Sequence, residues 1–349
     1  MAKSKEDAIV GCLLGTAVGD AIGLPFERLT KARQWRLCPQ LDGPSFLFGR
    51  GMVSDDTEHA CLTAQALIAS GGDPSEFEKC LASQLRTWFL CVAPGAGLAT
   101  VKSCLRLCSG VPPQRSGVFS AGNGPAMRSP IIGASNGEDH SRLRKLVEIS
   151  TRMTHNDPKA TNGALAVALA AHLAASERDI SPLGYYSALC ELIDDAELLG
   201  LVQRCVEAAE RGESVAEFAA SLGLAKGVSG YMYHTVPIAL YAWFRHPRDL
   251  RSAIIETVRC GGDTDSTGAL AGAIVGAATG SEGIPQEWIS ALLEFPRSTS
   301  WMEKVAIRLA ADNDPGQPIP LFLPAVMLRN SLFLAVVLGH AARRVFPPY

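Results

Sequence analysis

A chain of 349 residues, 47% hydrophobic and 19% charged, has the composition of a folded globular protein rather than a disordered one. Its 32 Lys and Arg against 35 Asp and Glu give a net charge of −3 with no basic cluster, which excludes the electrostatic footprint of a nucleic-acid binder. Ten cysteines at irregular spacing, with no C-x-x-C, read as reduced, mostly buried thiols of a cytoplasmic protein.

The first predicted element is a helix over 8–24. Lys3 and Lys5 ahead of its apolar run imitate a secretory signal, but Glu6 and Asp7 occupy the part that should be positive, so a helix of the mature fold is expected. Glycine recurs at Gly11, Gly15, Gly19 and Gly23, although each interior helical glycine costs about 0.8–1 kcal/mol relative to Ala. Four-residue spacing lines them along one ridge, where missing side chains let another backbone come close. L-P-F-E, with Glu27, follows. S-D-D-T-E at 54–58 opens the next helix, where Asp55 with Glu58 fits a capping box.

Helical texture continues through Glu76–Cys91 and around Cys104 and Cys108, which are i,i+4 neighbours. Gly122-Asn123-Gly124-Pro125-Ala126-Met127-Arg128 is a glycine loop feeding a helix, a shape that lets backbone N–H groups meet a pyrophosphate. T-H-N-D-P places His155 in a loop, and helices are expected over Asn162–Ser176, Ala196–Arg211 and Asp249–Arg259. Between the last two, Gly230-Tyr231-Met232-Tyr233-His234 offers aromatic faces after a flexible start.

C-G-G-D-T-D-S-T-G at 260–268 sets Asp263 and Asp265 one residue apart, and a second glycine series at Gly268, Gly272, Gly276 and Gly280 marks a helix over 266–280. The two glycine-striped helices are expected to pack through their flat faces, against each other or against another neighbour. D-N-D-P-G-Q-P-I-P at 312–320 reads as a linker, dividing a domain of residues 1–315 from a C-terminal helical extension of 316–349 docked on the body. No membrane span is expected: the run Ser331–Gly339 has Arg329, Arg343 and Arg344 around it and falls short of the about 18–20 apolar residues that crossing requires. Period-2 runs of β-branched residues are almost absent, so the fold class is all-α, a compact bundle of many helices.

Each acidic cluster alone reads as helix capping. Three of them, rich in carboxylates and hydroxyls beside glycine turns, read as one site. Asp263 and Asp265 repel at that spacing unless something positive lies between them, and the nearest cation in sequence is Arg259. Oxygen donors without neighbouring Cys or His select a hard cation, Mg²⁺ or Mn²⁺ before Zn²⁺, with Ca²⁺ a further option. Five acids, Glu27, Asp55, Asp56, Asp263 and Asp265, imply about two divalent ions.

In this order, G-C-L-L-G-T-A-V-G-D-A-I-G-L-P-F-E, S-D-D-T-E, G-N-G-P-A-M-R, T-H-N-D-P and G-G-D-T-D-S resemble the ADP-ribosylglycohydrolase family, of the dinitrogenase reductase-activating glycohydrolase type, from about Ile9 to Trp288. The resemblance implies an all-α enzyme that uses two Mg²⁺ or Mn²⁺ to hydrolyse the bond from ADP-ribose C1″ to an acceptor. The acceptor would be an Arg or Ser of an ADP-ribosylated protein, or a small conjugate. By motif, Ser54, Asp55, Asp56, Asp263, Asp265 and Ser266 would be metal ligands, with Glu27, Asp56 and Asp265 at the chemistry and Glu27 ordering water or the ribose. Gly122, Asn123, Gly124, Met127 and His155 would contact the ADP-ribose, and Arg128 would serve a structural ion pair. Apart from the resemblance, the aromatic faces at 230–234 are expected to supply a ring that stacks on adenine, Tyr231 or Tyr233, with Tyr231 taken as the substrate contact. The protein is expected to be a monomer. Two hydroxyls depart from the usual pattern, Ser54 and Ser266 standing where Thr is common, and Ser120 and Ala121 precede the glycine loop where some relatives carry an acid. Two other readings compete: a non-catalytic ADP-ribose binder or toxin-immunity protein, and a phosphatase of the D-x-D-x-T type using D-T-D-S-T at 263–267, which needs an apolar strand before Asp263.

Overall fold

The computed structural model describes residues 4–92, 95–176, 180–311 and 315–343. Its first half holds α1 (Lys5–Gly23), α2 (Lys31–Leu37), α3 (Asp55–Ser70), α4 (Pro74–Leu90), α5 (Leu98–Cys108), α6 (Pro113–Ser116), α7 (Ser129–Asn136), α8 (His140–Arg152) and α9 (Pro158–Ser176). The second holds α10 (Pro182–Leu192), α11 (Ala196–Arg211), α12 (Val215–Ser221), α13 (Met232–Arg245), α14 (Leu250–Val258), α15 (Thr264–Thr279), α16 (Gln286–Ala291), α17 (Thr299–Ala311) and α18 (Leu323–Arg343). Extended pairing among the described residues is confined to isolated bridges, so the fold is all-α. Local chemistry sets the boundaries. Asp73 caps α4 with Pro74 in its first turn, which starts that helix two residues before the apolar pattern does. Ser214 and Glu217 form a reciprocal capping box on α12, and left-handed Gly71 and Gly212 end α3 and α11.

The two glycine series meet each other. α1 and α15 lie antiparallel at the centre, and a Cβ on Gly11, Gly15 or Gly19 would stand 2.1 Å from the carbonyl oxygen of Gly276, Gly272 or Gly268 respectively. Backbone therefore touches backbone over three turns. Around this pair pack the buried faces of α3, α7, α9, α13, α14 and α17. Antiparallel pairing has a consequence for function: the end of α1 at Gly23 is fixed beside the start of α15, where Thr264 Oγ1 donates to Gly23 O at 2.8 Å.

Two helical segments exceed the length expected from the sequence. Lys5–Phe26, of 22 residues, and Leu323–Arg343, of 21, are each long and apolar enough by length and composition to cross a bilayer. The first is buried in the protein core from Ala8 to Phe26, while α18 keeps most of its surface exposed. α18 docks through Val326, Arg329, Asn330 and Phe333. The segment before it is held on α3, where Gln65 both accepts from Ile319 N at 2.9 Å and donates to Ile319 O at 2.6 Å. Of the residues named from sequence, Lys3, 312–314 and Arg344 lie outside the described residues. All ten cysteines are free thiols, six of them buried.

Candidate active site

Three chain turns deliver the acids. Past Gly23 a single 3₁₀ turn, Leu24–Phe26, carries the chain to Glu27, which pairs with Arg28 at 3.1 Å. At the start of α3, Ser54 is the N-cap and accepts from Asp56 N at 3.2 Å. This displaces the expected Asp55–Glu58 capping box. Glu58 instead turns inward, accepting from Trp88 Nε1 and Arg297 Nη1, each at 2.6 Å, and Asp55 is left to face the cavity. At the start of α15, Gly261 and Gly262 adopt φ of 74° and 87°, and a Cβ on Gly262 would lie 2.0 Å from Val228 O, so glycine is required there. Asp263 takes the N-cap position but caps nothing with its side chain. It accepts from Asn123 Nδ2 at 2.6 Å.

These turns converge. One carboxylate oxygen each from Glu27, Asp263 and Asp265 lies within 4.8 Å of the others. Asp56 Oδ2 accepts from Ser54 Oγ at 3.2 Å and from Ser266 Oγ at 3.1 Å, which ties α3 to α15. Burial first, and then neighbouring carboxylates, push Asp55 up to about 7 and Asp56 and Asp265 well above the usual carboxylate range. Burial also raises Asp263, against the opposing hydrogen bond from Asn123. Arg259 does not relieve them: it donates to the carbonyls of Cys38 and Pro39 and stacks over Trp35.

The oxygens Asp56 Oδ1 and Asp265 Oδ1 are buried without a hydrogen-bond partner. Buried ionised oxygens need a counter-charge or a proton, and a set of carboxylates and hydroxyls with no sulfur fits a hard divalent cation. The residues present therefore suit the metal centre expected from the sequence.

A cavity of about 610 Å³ opens over this cluster. Ser54, Asp55, Asp56, Asp263, Asp265, Ser266 and Glu27 line it, as do Gly122, Asn123, Gly124, Met127 and His155. The glycine loop is pinned by Asn123 N donating to Gly230 O at 3.0 Å and Met232 N donating to Ala121 O at 2.8 Å. His155 packs beneath it, so a Cβ on Gly124 would stand 3.0 Å from the ring. Burial, reinforced by Arg128, lowers His155 to about 3 and keeps it neutral.

Tyr231 is the exception. Its hydroxyl accepts from Lys159 Nζ at 2.9 Å and its ring packs against Tyr233 and His234, while Ser229 and Gly230 reach the cavity wall in its place. Arg128 also differs from expectation. It is fully buried, yet it donates to Ser150 Oγ, Ser150 O and Thr154 Oγ1 at 3.0, 2.9 and 2.7 Å, and no carboxylate pairs with it among the described residues. Its role is structural, through neutral acceptors.

Sequence reasoning passed over two contributors. Asp20, buried on α1, accepts from Ser54 N at 2.9 Å, Thr57 N at 3.2 Å and Thr57 Oγ1 at 2.5 Å, so it orients the whole 54–57 turn. Burial raises it to about 6. An acid inside a glycine-striped apolar helix was the available signal. The second contributor is α18, which brings Phe333, Val337, His340 and Ala341 to the cavity; nothing in its composition points there.

An oxygen-rich centre at converging helix ends in an all-α frame does not fit a D-x-D-x-T phosphatase: the element before Asp263 is the helix α14, where such an enzyme requires an apolar strand. The chain belongs to the ADP-ribosylglycohydrolase family, which it matches over residues 1–318, and so to the hydrolases of ADP-ribosyl conjugates. It is 28% identical to the ADP-ribosyl-[dinitrogen reductase] glycohydrolase of Rhodospirillum rubrum over 83% of this chain and 91% of that protein. It is also 28% identical to the ADP-ribosylhydrolase ARH3 of Gallus gallus over 80% and 87% of the two chains. Among solved structures, an ADP-ribosylglycohydrolase-related protein complex superposes with a TM-score of 0.66 at 26% identity, covering 88% of this chain and 98% of that one.

Proposed function

We propose that this protein releases ADP-ribose from an acceptor by hydrolysing the glycosidic bond at C1″, with two Mg²⁺ or Mn²⁺ ions held by Ser54, Asp55, Asp56, Asp263, Asp265 and Ser266. The observation that carries this reading is the pair of buried, partnerless oxygens on Asp56 and Asp265, two residues that line one cavity together with the glycine loop. Bound there, divalent cations would neutralise the acids and supply Lewis acidity at neutral pH.

The protein's own groups supply the rest. Gly122 and Gly124 leave room for a pyrophosphate against the loop, with the neutral His155 as its floor. Asn123, by donating to Asp263, keeps substrate loop and acid cluster in register. Glu27, at the cavity wall, is placed to orient a water or a ribose hydroxyl, and Asp56 and Asp265 complete the reacting centre. Tyr231 stands behind Ser229 and Gly230, and we assign it to supporting that wall. The names of the two relatives, one acting on ADP-ribosylated dinitrogen reductase and one an ADP-ribosylhydrolase, agree with this reaction class.

The test is release of ADP-ribose from Arg-linked and Ser-linked ADP-ribosyl peptides by EDTA-treated protein, before and after Mg²⁺ or Mn²⁺ is restored. Release only with metal is expected. Tight ADP-ribose binding with neither peptide cleaved would make the protein a binder instead.

A further inference from the structure

The matched span of the family ends at residue 318, and α18 lies wholly beyond it. Yet α18 is part of the cavity. Its first half is clamped to the acid-bearing turn: Arg329 Nη2 donates to Val53 O at 2.6 Å and Nε to Glu294 Oε2 at 2.9 Å, while Val53 N donates to Glu294 Oε1 at 2.8 Å. Asn330 Nδ2 adds a bond to Cys91 O at 2.9 Å. A helix held by a buried guanidinium on the residue before Ser54 is a fixed wall.

The second half reaches the other end of the site. His340 Nε2 lies 3.2 Å from Pro25 O, its ring is edge-on to Phe46, and Phe333 packs with Phe46 and Leu24. Pro25 belongs to the turn that delivers Glu27. Contacts thus run from the glycine loop through Asn123 to Asp263, across the acids to Glu27, and from that turn to α18. This order sets the reacting centre between the loop and the helix.

Resting on the reaction proposed above, with ADP-ribose on the loop side, we infer that α18 forms the leaving-group side of the cavity and selects an uncharged acceptor. The wall made by Leu24, Phe46, Phe333, Val337 and Ala341 is apolar, and the imidazole of His340 is engaged with Pro25. Beside it Arg28 is paired with Glu27 at 3.1 Å. A guanidinium leaving group would be desolvated against this wall, with Glu27 already engaged by Arg28, whereas an alcohol-linked acceptor such as serine carries no charge to desolvate. The substrate class is therefore an O-linked ADP-ribosyl conjugate.

The experiment uses the full-length protein and two variants, Val337→Trp and Val337→Glu, reading ADP-ribose affinity by calorimetry and kcat/KM on Ser-linked and Arg-linked ADP-ribosyl peptides. The parent is expected to favour the Ser-linked peptide. Val337→Trp should lower kcat/KM on the Ser-linked peptide by about ten-fold or more while holding ADP-ribose affinity within about two-fold. Val337→Glu should move the Ser-to-Arg preference toward Arg by about ten-fold, because a carboxylate then faces the guanidinium. Retained ADP-ribose affinity also shows that both variants fold. Parallel loss of affinity and turnover, unchanged turnover in both variants, or a parent that prefers the Arg-linked peptide would overturn the assignment. A parent that neither binds ADP-ribose nor cleaves either peptide would instead remove the proposed function itself.

Discussion

Asp263 occupies the N-cap of α15 and makes no capping bond, whereas Ser54 at the equivalent place on α3 does. The contrast separates two roles that carboxylates at helix starts can play. A capping Asp replaced by Asn keeps nearly all its value, and one replaced by Ala costs about 0.5–2 kcal/mol. A metal ligand replaced by Asn loses its ion. Asp263→Asn is therefore expected to melt within a few degrees of the parent while losing bound Mg²⁺ or Mn²⁺ and activity together. Elemental analysis settles it, since unchanged metal stoichiometry would leave Asp263 a role in holding Asn123 alone. Asp20 acts one layer behind. Its buried carboxylate fixes Ser54 and Thr57 and through them the direction in which Asp55 and Asp56 point.

Among the helices, the α1–α15 pair makes a claim that opposes intrinsic propensity. Alanine in a helix interior is favoured over glycine by about 0.8–1 kcal/mol. At Gly15 the added Cβ would meet Gly272 O at 2.1 Å, inside any van der Waals contact, so the helices must separate. Gly15→Ala should destabilise by about 1–3 kcal/mol or more. Gly200, inside α11 with nothing within 4 Å of its would-be Cβ, is the control, and Gly200→Ala should stabilise by about 0.4–1 kcal/mol. Urea denaturation of both variants reads the difference. Two shifts of the same sign would mean that backbone contact does not hold α1 against α15.

For the whole molecule, the gathered acids tie stability to pH and to metal. Asp20 at about 6 and Asp55 at about 7, with Asp56 and Asp265 also raised well above the usual carboxylate range, bind protons more tightly folded than unfolded. Their contribution is thus fully present below the ordinary carboxylate range and is lost as pH rises through about 6 to 7. EDTA-treated protein should accordingly lose melting temperature between about pH 5 and pH 8. Saturating Mg²⁺ or Mn²⁺ should cancel most of that loss, because cations take over from protons as counter-charge and bind only the folded site. Thermal melts at both pH values with and without metal check this; an equal pH slope in the two series would place the acids outside any metal centre.

What the sequence determined by itself was whatever depends on near neighbours along the chain. The helical class follows from composition and from apolar positions at helical spacing, and the bounds of α11 at Ala196–Arg211 follow from Asp195 and Gly212 at its two ends. The glycine ridges are legible because four-residue spacing is a property of one helix, and the acid runs at 54–58 and 263–265 because each sits in a single turn. Tertiary structure decided what needs two distant segments to meet. Ser54 took the cap from Asp55 because Asp20, 34 residues earlier, holds its amide. Tyr231 turned from the cavity because Lys159, 72 residues away, binds its hydroxyl. Only folding brings Arg329 to Val53, 276 residues apart, and His340 to Pro25, 315 apart. No local pattern encodes such contacts, since the side chains that satisfy them are chosen by the shape of the packed body and not by their neighbours in sequence.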